Sequence, residues 1–306
     1  VESIFSQPST LNSQLQNMGK TEIFIEYQRL LFAIAYRMLG SAMDAEEMVQ
    51  EAYLRWQADR TEPSLPKAYL STIVTRLCID HLRAAQTHNE HYVGEWLPEP
   101  LLTEGQPDMT EQIELADSLS LAFGVILRSL SPTERAAYLL REVFDYEYAE
   151  VAHILQSSEA NCRQMVSRAK IHLQQRRPRF DVQPAQRDKL FFEFSQACQS
   201  GDLNRLLTML TAEAIVRSDG GGKAKAALNV IHGADKVARF MLGLMKQMTA
   251  EMRIQVSEVN GQRAVLLFNN GQLFSAMTLD CTPDQIREID IVVNPDKLQT
   301  LARALG

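Results

Sequence analysis

Residues 131–177 read SPTERAAYLLREVFDYEYAEVAHILQSSEANCRQMVSRAKIHLQQRR. The hydroxyl of Ser131, Pro132 at the first helical position and Glu134 three residues past the cap predict a helix opened by a capping box. Ala136, Leu139, Leu140 and Val143 continue it at helical spacing. The polar DYEY then separates it from a second short amphipathic run, Tyr148 to Leu155. After the turn Gln156-Ser157-Ser158 a third helix is expected, with Cys162, Val166, Ala169 and Leu173 inside and Asn161, Arg163, Gln164, Ser167, Arg168 and Lys170 outside. Three helices so spaced form a helix-turn-helix.

The outer face of the third helix has the chemistry of a major groove. Arginine, glutamine and asparagine make bidentate hydrogen bonds to base edges, each good pair giving roughly 1–3 kcal/mol of discrimination, while lysine and further arginines hold phosphates. No acidic residue falls between Arg163 and Arg179, and Arg176, Arg177 and Arg179 close the segment. A helical hairpin with a solvated basic face fits the same pattern. The rest of the chain decides between them.

The chain has 306 residues and a mass of 34.6 kDa, so two or three compact units are expected, and 45% hydrophobic residues suffice for packed cores. A net charge of −7 excludes a protein that grips DNA by bulk electrostatics, which needs many phosphates neutralised. Contact with DNA therefore implies a partner. Cys78, Cys162, Cys198 and Cys281 lie far apart with no CxxC pair, so neither a disulfide framework nor a zinc site is indicated. No metal or cofactor is expected, and a reducing cytoplasm fits. No apolar run reaches the roughly 18–20 residues that span a bilayer, and no membrane partner is expected. Residues 1–18, rich in Ser, Gln and Asn, read as a disordered leader.

Residues 19–86 form a first helical module. Thr21 to Leu39 is apolar on a broad face and ends at Gly40, a natural C-cap. DAEEMVQEAYLRW, Asp44 to Trp56, turns Met48, Ala52 and Trp56 inward and Asp44, Glu46, Glu47, Gln50 and Glu51 outward. The next helix, KAYLSTIVTRLCIDHLR from Lys67 to Arg83, buries Leu70, Ile73, Val74, Leu77 and Leu82 and shows Lys67, Tyr69, Thr72, Thr75, Arg76, Asp80, His81 and Arg83 on its other side. Aromatic, basic and hydrogen-bonding groups so mixed suit single-stranded bases.

These two segments closely resemble region 2 of the sigma-70-type factors of bacterial RNA polymerase, in the extracytoplasmic-function group, and SPTERAAYLLREVFDYEYAEVAHIL resembles their region 4. The resemblance implies two all-α sigma modules, the second being the helix-turn-helix, a core RNA polymerase partner through its β and β′ subunits, and promoter DNA. By the same resemblance, Asp44, Glu47, Gln50 and Glu51 fall where the family docks on the β′ clamp helices. Lys67 to Arg83 fall where it melts the −10 element, residues 60–66 where it captures a flipped base, and Arg163 to Lys170 where it reads the −35 element. After Arg83 stands Ala84-Ala85-Gln86, where many relatives carry arginines, so weaker backbone affinity is expected there.

Residues 87–109 form a linker with two glycines and three prolines, extended around Trp96 to Pro100. Trp96 beside Leu97 is an apolar anchor that packs either on its own module or on another surface. YVGEWLPEP resembles the linker of the sigma subgroup with a C-terminal SnoaL-like domain, and residues 110–180 then hold region 4 behind a helix from about Thr110 to Leu130. In residues 181–306, helices over Arg187–Gln199, Asp202–Leu210 and Ala234–Met248 precede strands hinged at Asn260-Gly261 and Asn270-Gly271, which predicts an α+β domain with an antiparallel meander.

GDLNRLLTMLTAEA, IHGADKVARFMLGL and NPDKL resemble the SnoaL-like domain, a cone of the nuclear transport factor 2-like superfamily that encloses a pocket. A small-molecule ligand is expected there. The resemblance implies regulation of the factor in cis, without enzymatic activity, through Trp96, Leu97, Pro98, Glu99 and Pro100 of the linker, Asp219 of DGGGK, and Asn294, Pro295, Asp296 and Lys297. The alternative is a small-molecule sensor or pocket enzyme fused to a DNA-binding half, with Asp219 as general base and His232 as helper.

Overall fold

The computed structural model describes residues 19–60, 63, 65–86, 92–104, 119–176 and 182–306. The leader, the start of the helix expected from Thr110, and Arg177 and Arg179 lie outside the described residues.

In chain order the elements are α1 (Lys20–Leu39), α2 (Ala42–Ala58), α3 (Pro66–Gln86), α4 (Leu121–Leu127), α5 (Pro132–Tyr138) running into a π-helical turn (Leu139–Val143), α6 (Tyr148–Leu155) and α7 (Glu159–Arg176). There follow α8 (Pro184–Ser200), α9 (Leu203–Met209), β1 (Leu210–Asp219), β2 (Ile231–His232), α10 (Ala234–Lys246), β3 (Met252–Val259), β4 (Gln262–Asn269), β5 (Gln272–Cys281), β6 (Ile286–Val292) and α11 (Pro295–Ala304). They fall into two units. Of the described residues, the first gathers Gly19–Leu39 with those of Met43–Ala84 and Pro132–Val166; the second holds Gly40–Ala42 and those of Ala85–Ser131 and Ser167–Gly306.

The first unit is all helix. Leu31, Ile34 and Met38 of α1, Ala52 and Trp56 of α2, Leu70, Val74 and Cys78 of α3, Ala136 and Leu139 from the α5 segment, and Val151 and Ile154 of α6 are buried. Several polar groups in this interior are bonded, although the Thr75 hydroxyl is not. The Trp56 indole donates to the Lys20 carbonyl at 2.8 Å, and the buried Arg135 donates to the Met38 carbonyl at 2.6 Å, which ties α5 to α1. α6 opens with a reciprocal cap between Glu147 and Glu150 and closes on Gln156, whose φ of 51° is left-handed. Cys162 and Val166 of α7 are buried here, and Ala169 and Leu173, on the part of α7 that belongs to the second unit, are buried as well, as their spacing predicts.

The second unit is α+β. Its six strands run in the order β2-β1-β6-β5-β4-β3. The two Asn-Gly pairs turn the β3–β4 and β4–β5 hairpins with positive φ at both residues: 52° and 70° at Asn260-Gly261, 50° and 78° at Asn270-Gly271. The expected meander is not the whole sheet. Leu210–Asp219 forms a strand ahead of α10 and pairs parallel with β6. Its last four residues are buried irrespective of the face they lie on, so no apolar/polar alternation marks it in the sequence.

One sheet face packs Val216, Ile289 and Ile291 against Phe191, Phe194, Leu206, Val237 and Met241 from α8, α9 and α10. The other face carries Val259, Ala264, Leu266, Ala276 and Val292, covered by Leu97, Leu121, Leu298 and Leu301. Leu97 is fully buried, worth about 1.5–3 kcal/mol for a side chain of its size. The linker is thus a structural part of the sheet's second layer.

Candidate nucleic-acid interface and linker site

On α7, Asn161, Arg163, Gln164, Ser167, Arg168 and Lys170 are all exposed. The local fold orients two of them. Asn161 donates to the Ser157 hydroxyl at 2.8 Å, and Arg163 donates to Glu159 at 2.9 Å while its guanidinium lies 4.4 Å from the Tyr148 ring centre. Tyr148 was missed as a support for this face, because nothing in local spacing connects positions fifteen residues apart on two helices.

The α3 residues divide. Lys67, Asp80 and Arg83 are exposed, and Tyr69, Arg76 and His81 are half-buried. Thr72 and Thr75, expected on the open face, are instead 8% and 0% exposed. Amphipathic spacing identifies a polar face but not what covers it. Here the neighbouring side chains are engaged by segments more than seventy residues onward: Arg76 donates to the Ile154 carbonyl at 3.1 Å, and the Ser71 and Tyr146 hydroxyls share a hydrogen bond of 2.6 Å. The Tyr69 ring lies beside Trp56, and its hydroxyl donates to the Asp59 carboxylate.

On α2, Glu47 and Gln50 are exposed, while Asp44 and Glu51 are half-buried, the latter accepting from Arg55 at 2.7 Å. Met43 and Leu54, 63% and 62% exposed, flank this acidic face at helical spacing. They were missed because one exposed apolar side chain carries no signal. Of the loop expected to capture a base, Arg60, Pro63, Leu65 and Pro66 are described, and Leu65 is exposed.

Inside the second unit the linker meets the sheet through a buried ion pair. The Asp219 carboxylate, fully buried at the end of β1, accepts from the Tyr92 hydroxyl at 2.6 Å, the Leu97 amide at 2.8 Å and the Lys297 ammonium at 2.7 Å. Lys297 also donates to the Leu97 carbonyl at 2.5 Å and sits 4.2 Å from the Trp96 ring centre; the Arg128 guanidinium lies 4.1 Å from the same ring. Burial pulls the Lys297 ammonium down to about 8, with Asp219 working against that fall. Asn294 caps α11 by accepting from the Asp296 amide at 3.1 Å, and it donates to the Tyr92 hydroxyl at 3.2 Å. Asp296 itself pairs with Lys223, and Pro295 is exposed at the first turn.

The remaining linker positions are also engaged. Pro98 and Pro100 are buried. Buried Glu99 accepts from the Ser41 hydroxyl at 3.0 Å and the Ala42 amide at 2.8 Å. Asn260 accepts from the Leu101 amide at 2.8 Å and donates to the Leu119 carbonyl at 2.8 Å. Sequence reasoning took Asn260 for a turn residue only, met Tyr92 only as the first residue of YVGEWLPEP, and gave Arg128 no role.

The Asp219 carboxylate thus holds three donors, one on Oδ1 and two on Oδ2, and all of them come from the linker and α11. His232 is exposed on β2. A cleft of about 230 Å³ in this unit is lined by Pro184, Arg187, Phe191, Arg263, Leu279 and Cys281 among others, and includes neither Asp219 nor His232. It is smaller than the roughly 300–1,000 Å³ of drug-sized ligand sites. Among the described residues no group of His, Cys, Asp and Glu is placed to hold a metal, and no helix is long and apolar enough to cross a membrane.

Family models for Sigma-70 region 2 and Sigma-70 region 4 match residues 23–88 and 120–173. The chain is 38% identical over 220 residues to the ECF RNA polymerase sigma factor SigJ of Mycobacterium tuberculosis, covering 71% of this chain and 70% of SigJ. It is 30% identical over 284 residues to the probable ECF RNA polymerase sigma factor SigI of that organism, covering 92% and 95% of the two chains. The crystal structure of Mycobacterium tuberculosis SigJ superposes with a TM-score of 0.74 at 30% identity, covering 92% of this chain and 99% of that one.

Proposed function

The chain belongs to the extracytoplasmic-function RNA polymerase sigma factors, and from that premise we propose that its C-terminal α+β domain regulates it in cis by capturing the linker between regions 2 and 4. As a sigma factor it directs promoter recognition and transcription initiation, with core RNA polymerase and promoter DNA as partners, and it acts in the cytoplasm. The exposed Glu47 and Gln50, with Met43 and Leu54, dock on the polymerase. α3 reads the −10 strand and the outer face of α7 the −35 duplex. The chain itself is not an enzyme; RNA synthesis belongs to the polymerase.

The observation that carries the regulatory reading is the Lys297 ammonium shared between Asp219 and the Leu97 carbonyl. A captured linker has its backbone groups and its indole committed to the cone, so the polymerase can use them only after release. A domain acts this way through a difference in contacts between two states. A small ligand acts on the same balance if it binds the captured and released forms unequally. Run-off transcription with bacterial core polymerase on a promoter library tests it, comparing the chain with its Asp219→Asn and Lys297→Met variants. Higher initiation by the variants is expected. Equal initiation would remove the linker contact from regulation, and loss of initiation would make the cone a part of the active complex.

A further inference from the structure

We propose that the polar face of α3 is a shared docking surface, occupied by the chain's own helix-turn-helix until single-stranded DNA replaces it, with Tyr146 and Arg76 as the anchors of the closed arrangement. This rests on the reading of α3 as the −10 strand reader. It adds an occupant that neither the linker nor the C-terminal domain supplies.

Lys67, Arg76 and Arg83 on this face each have a neutral stand-in from the region 4 segment of the same unit. The Arg76 guanidinium donates to the carbonyls of Ile154 at 3.1 Å and His153 at 3.4 Å, in the last turn of α6. Carbonyls of a last turn carry the negative end of the helix dipole, so they offer a guanidinium part of what a phosphate offers, even though the His153 carbonyl also accepts from the Gln156 amide at 3.3 Å. The Lys67 ammonium lies 5.0 Å from the centre of the Tyr146 ring, and Arg83 donates to the Thr133 hydroxyl at 3.3 Å. An aromatic face, two carbonyls and a hydroxyl hold three cations without themselves neutralising any, and Arg83 alone of the three also pairs with a carboxylate in the described residues, Asp80 at 3.8 Å on its own exposed turn. A nucleic-acid backbone does so with full charges.

The fit between α3 and its cover is also incomplete. Tyr146 is 2% exposed, and its hydroxyl meets Ser71 at 2.6 Å. One turn further on, the fully buried Thr75 hydroxyl has no hydrogen-bond partner. Thr72 is satisfied only by its own helix, through the Ala68 carbonyl at 2.7 Å. A buried polar atom left unpaired is a cost that a surface made solely for α6 would not carry. Bases and sugars supply the acceptors and donors that α6 lacks, and the aromatic ring that covers Lys67 is replaced by phosphate. The closed form is stable enough to hide the face and imperfect enough to yield it.

Two measurements on the full chain test this. Fluorescein-labelled single-stranded DNA of mixed sequence is titrated by anisotropy against the chain and its Tyr146→Phe and Ser71→Ala variants. Each variant removes the same hydroxyl pair from one side, and each is expected to bind roughly twofold to tenfold tighter. Melting curves identify a variant that fails to fold. Spin labels on Ala58→Cys and Ala149→Cys, both exposed, in a Cys281→Ser background, report the distance from α2 to α6. One narrow distribution is expected in the free chain, broadening in Tyr146→Phe and on saturation with the DNA. Unchanged affinity in both folded variants overturns the proposal, as does a distribution that DNA leaves untouched. If the distance responds to Tyr146→Phe while no form binds the strand, the clasp stands and the assignment of α3 as strand reader falls.

Discussion

Lys297 shows how much one side chain can be asked to hold. Its ammonium is the common donor to a carboxylate on β1 and a carbonyl in the linker, with aromatic rings from Trp96 and Tyr92 beside it. Lys297→Met strands a buried Asp219, and a loss of about 3–5 kcal/mol in urea unfolding is expected. Adding Asp219→Asn should cost less than the sum of the single changes, because the two residues share one network. The pH dependence follows from burial. Lys297 loses its proton near 8 in the folded chain against an ordinary 10.5, facing Asp219, Tyr92, Arg128 and Glu99. Between those values the unfolded chain binds the extra proton, so stability relative to Lys297→Met rises with pH. The full rise is on the order of 3 kcal/mol, read from unfolding curves at pH 7 and pH 10. Gly124 makes a second point at this scale: a methyl group there would lie 2.5 Å from the Pro98 ring. Gly124→Ala should therefore destabilise the chain by about 1–3 kcal/mol.

Among the elements, those whose partners lie nearby in sequence were legible. α6 and the buried side of α7 follow from a polar interruption, a polar turn and periodicity over fewer than fifty residues, and both Asn-Gly hairpins follow from the φ values that dipeptide prefers. Gln156 is the exception inside this segment, since a left-handed residue that is not glycine is strained. Gln156→Gly is expected to gain about 0.5–1 kcal/mol in denaturant unfolding without altering the helices around it. On α7, Arg168→Ala should lower initiation at promoters that depend on the −35 element and leave others unchanged. The difference corresponds to about 1–3 kcal/mol and is read from run-off yields. α3 and β1 were not legible in the same way. The faces of α3 are finished by Tyr146 and the end of α6, and β1 is buried without regard to face beside β6, so local pattern fails at both.

At the scale of the whole molecule, an acidic chain that reads DNA must borrow its grip. Net charge −7 opposes binding to a polyanion, so promoter affinity of the free chain should be at least about tenfold below that of its complex with core polymerase in gel-shift titrations. Composition and motif order in the sequence carried the family, the helical modules and the α+β class. Of the polar anchors of the linker, Asp219, Asn294 and Lys297 were carried and the others were not. Tyr92, Asn260 and Arg128 acquire meaning only when positions up to 159 residues apart are brought together.

Asn260 has one further consequence, which concerns how the protein ages. Asparagine followed by glycine is the pair most prone to cyclise to a succinimide and open as aspartate or isoaspartate, and two such pairs stand here in matching turns. The Asn270 turn is exposed. Asn260 is buried, its carboxamide held by Leu101 and Leu119. On storage at neutral pH, mass spectrometry should find Asn270 converted and Asn260 intact, because its carboxamide must leave the linker before it can react. Conversion at Asn260 would therefore record how long the linker had been free.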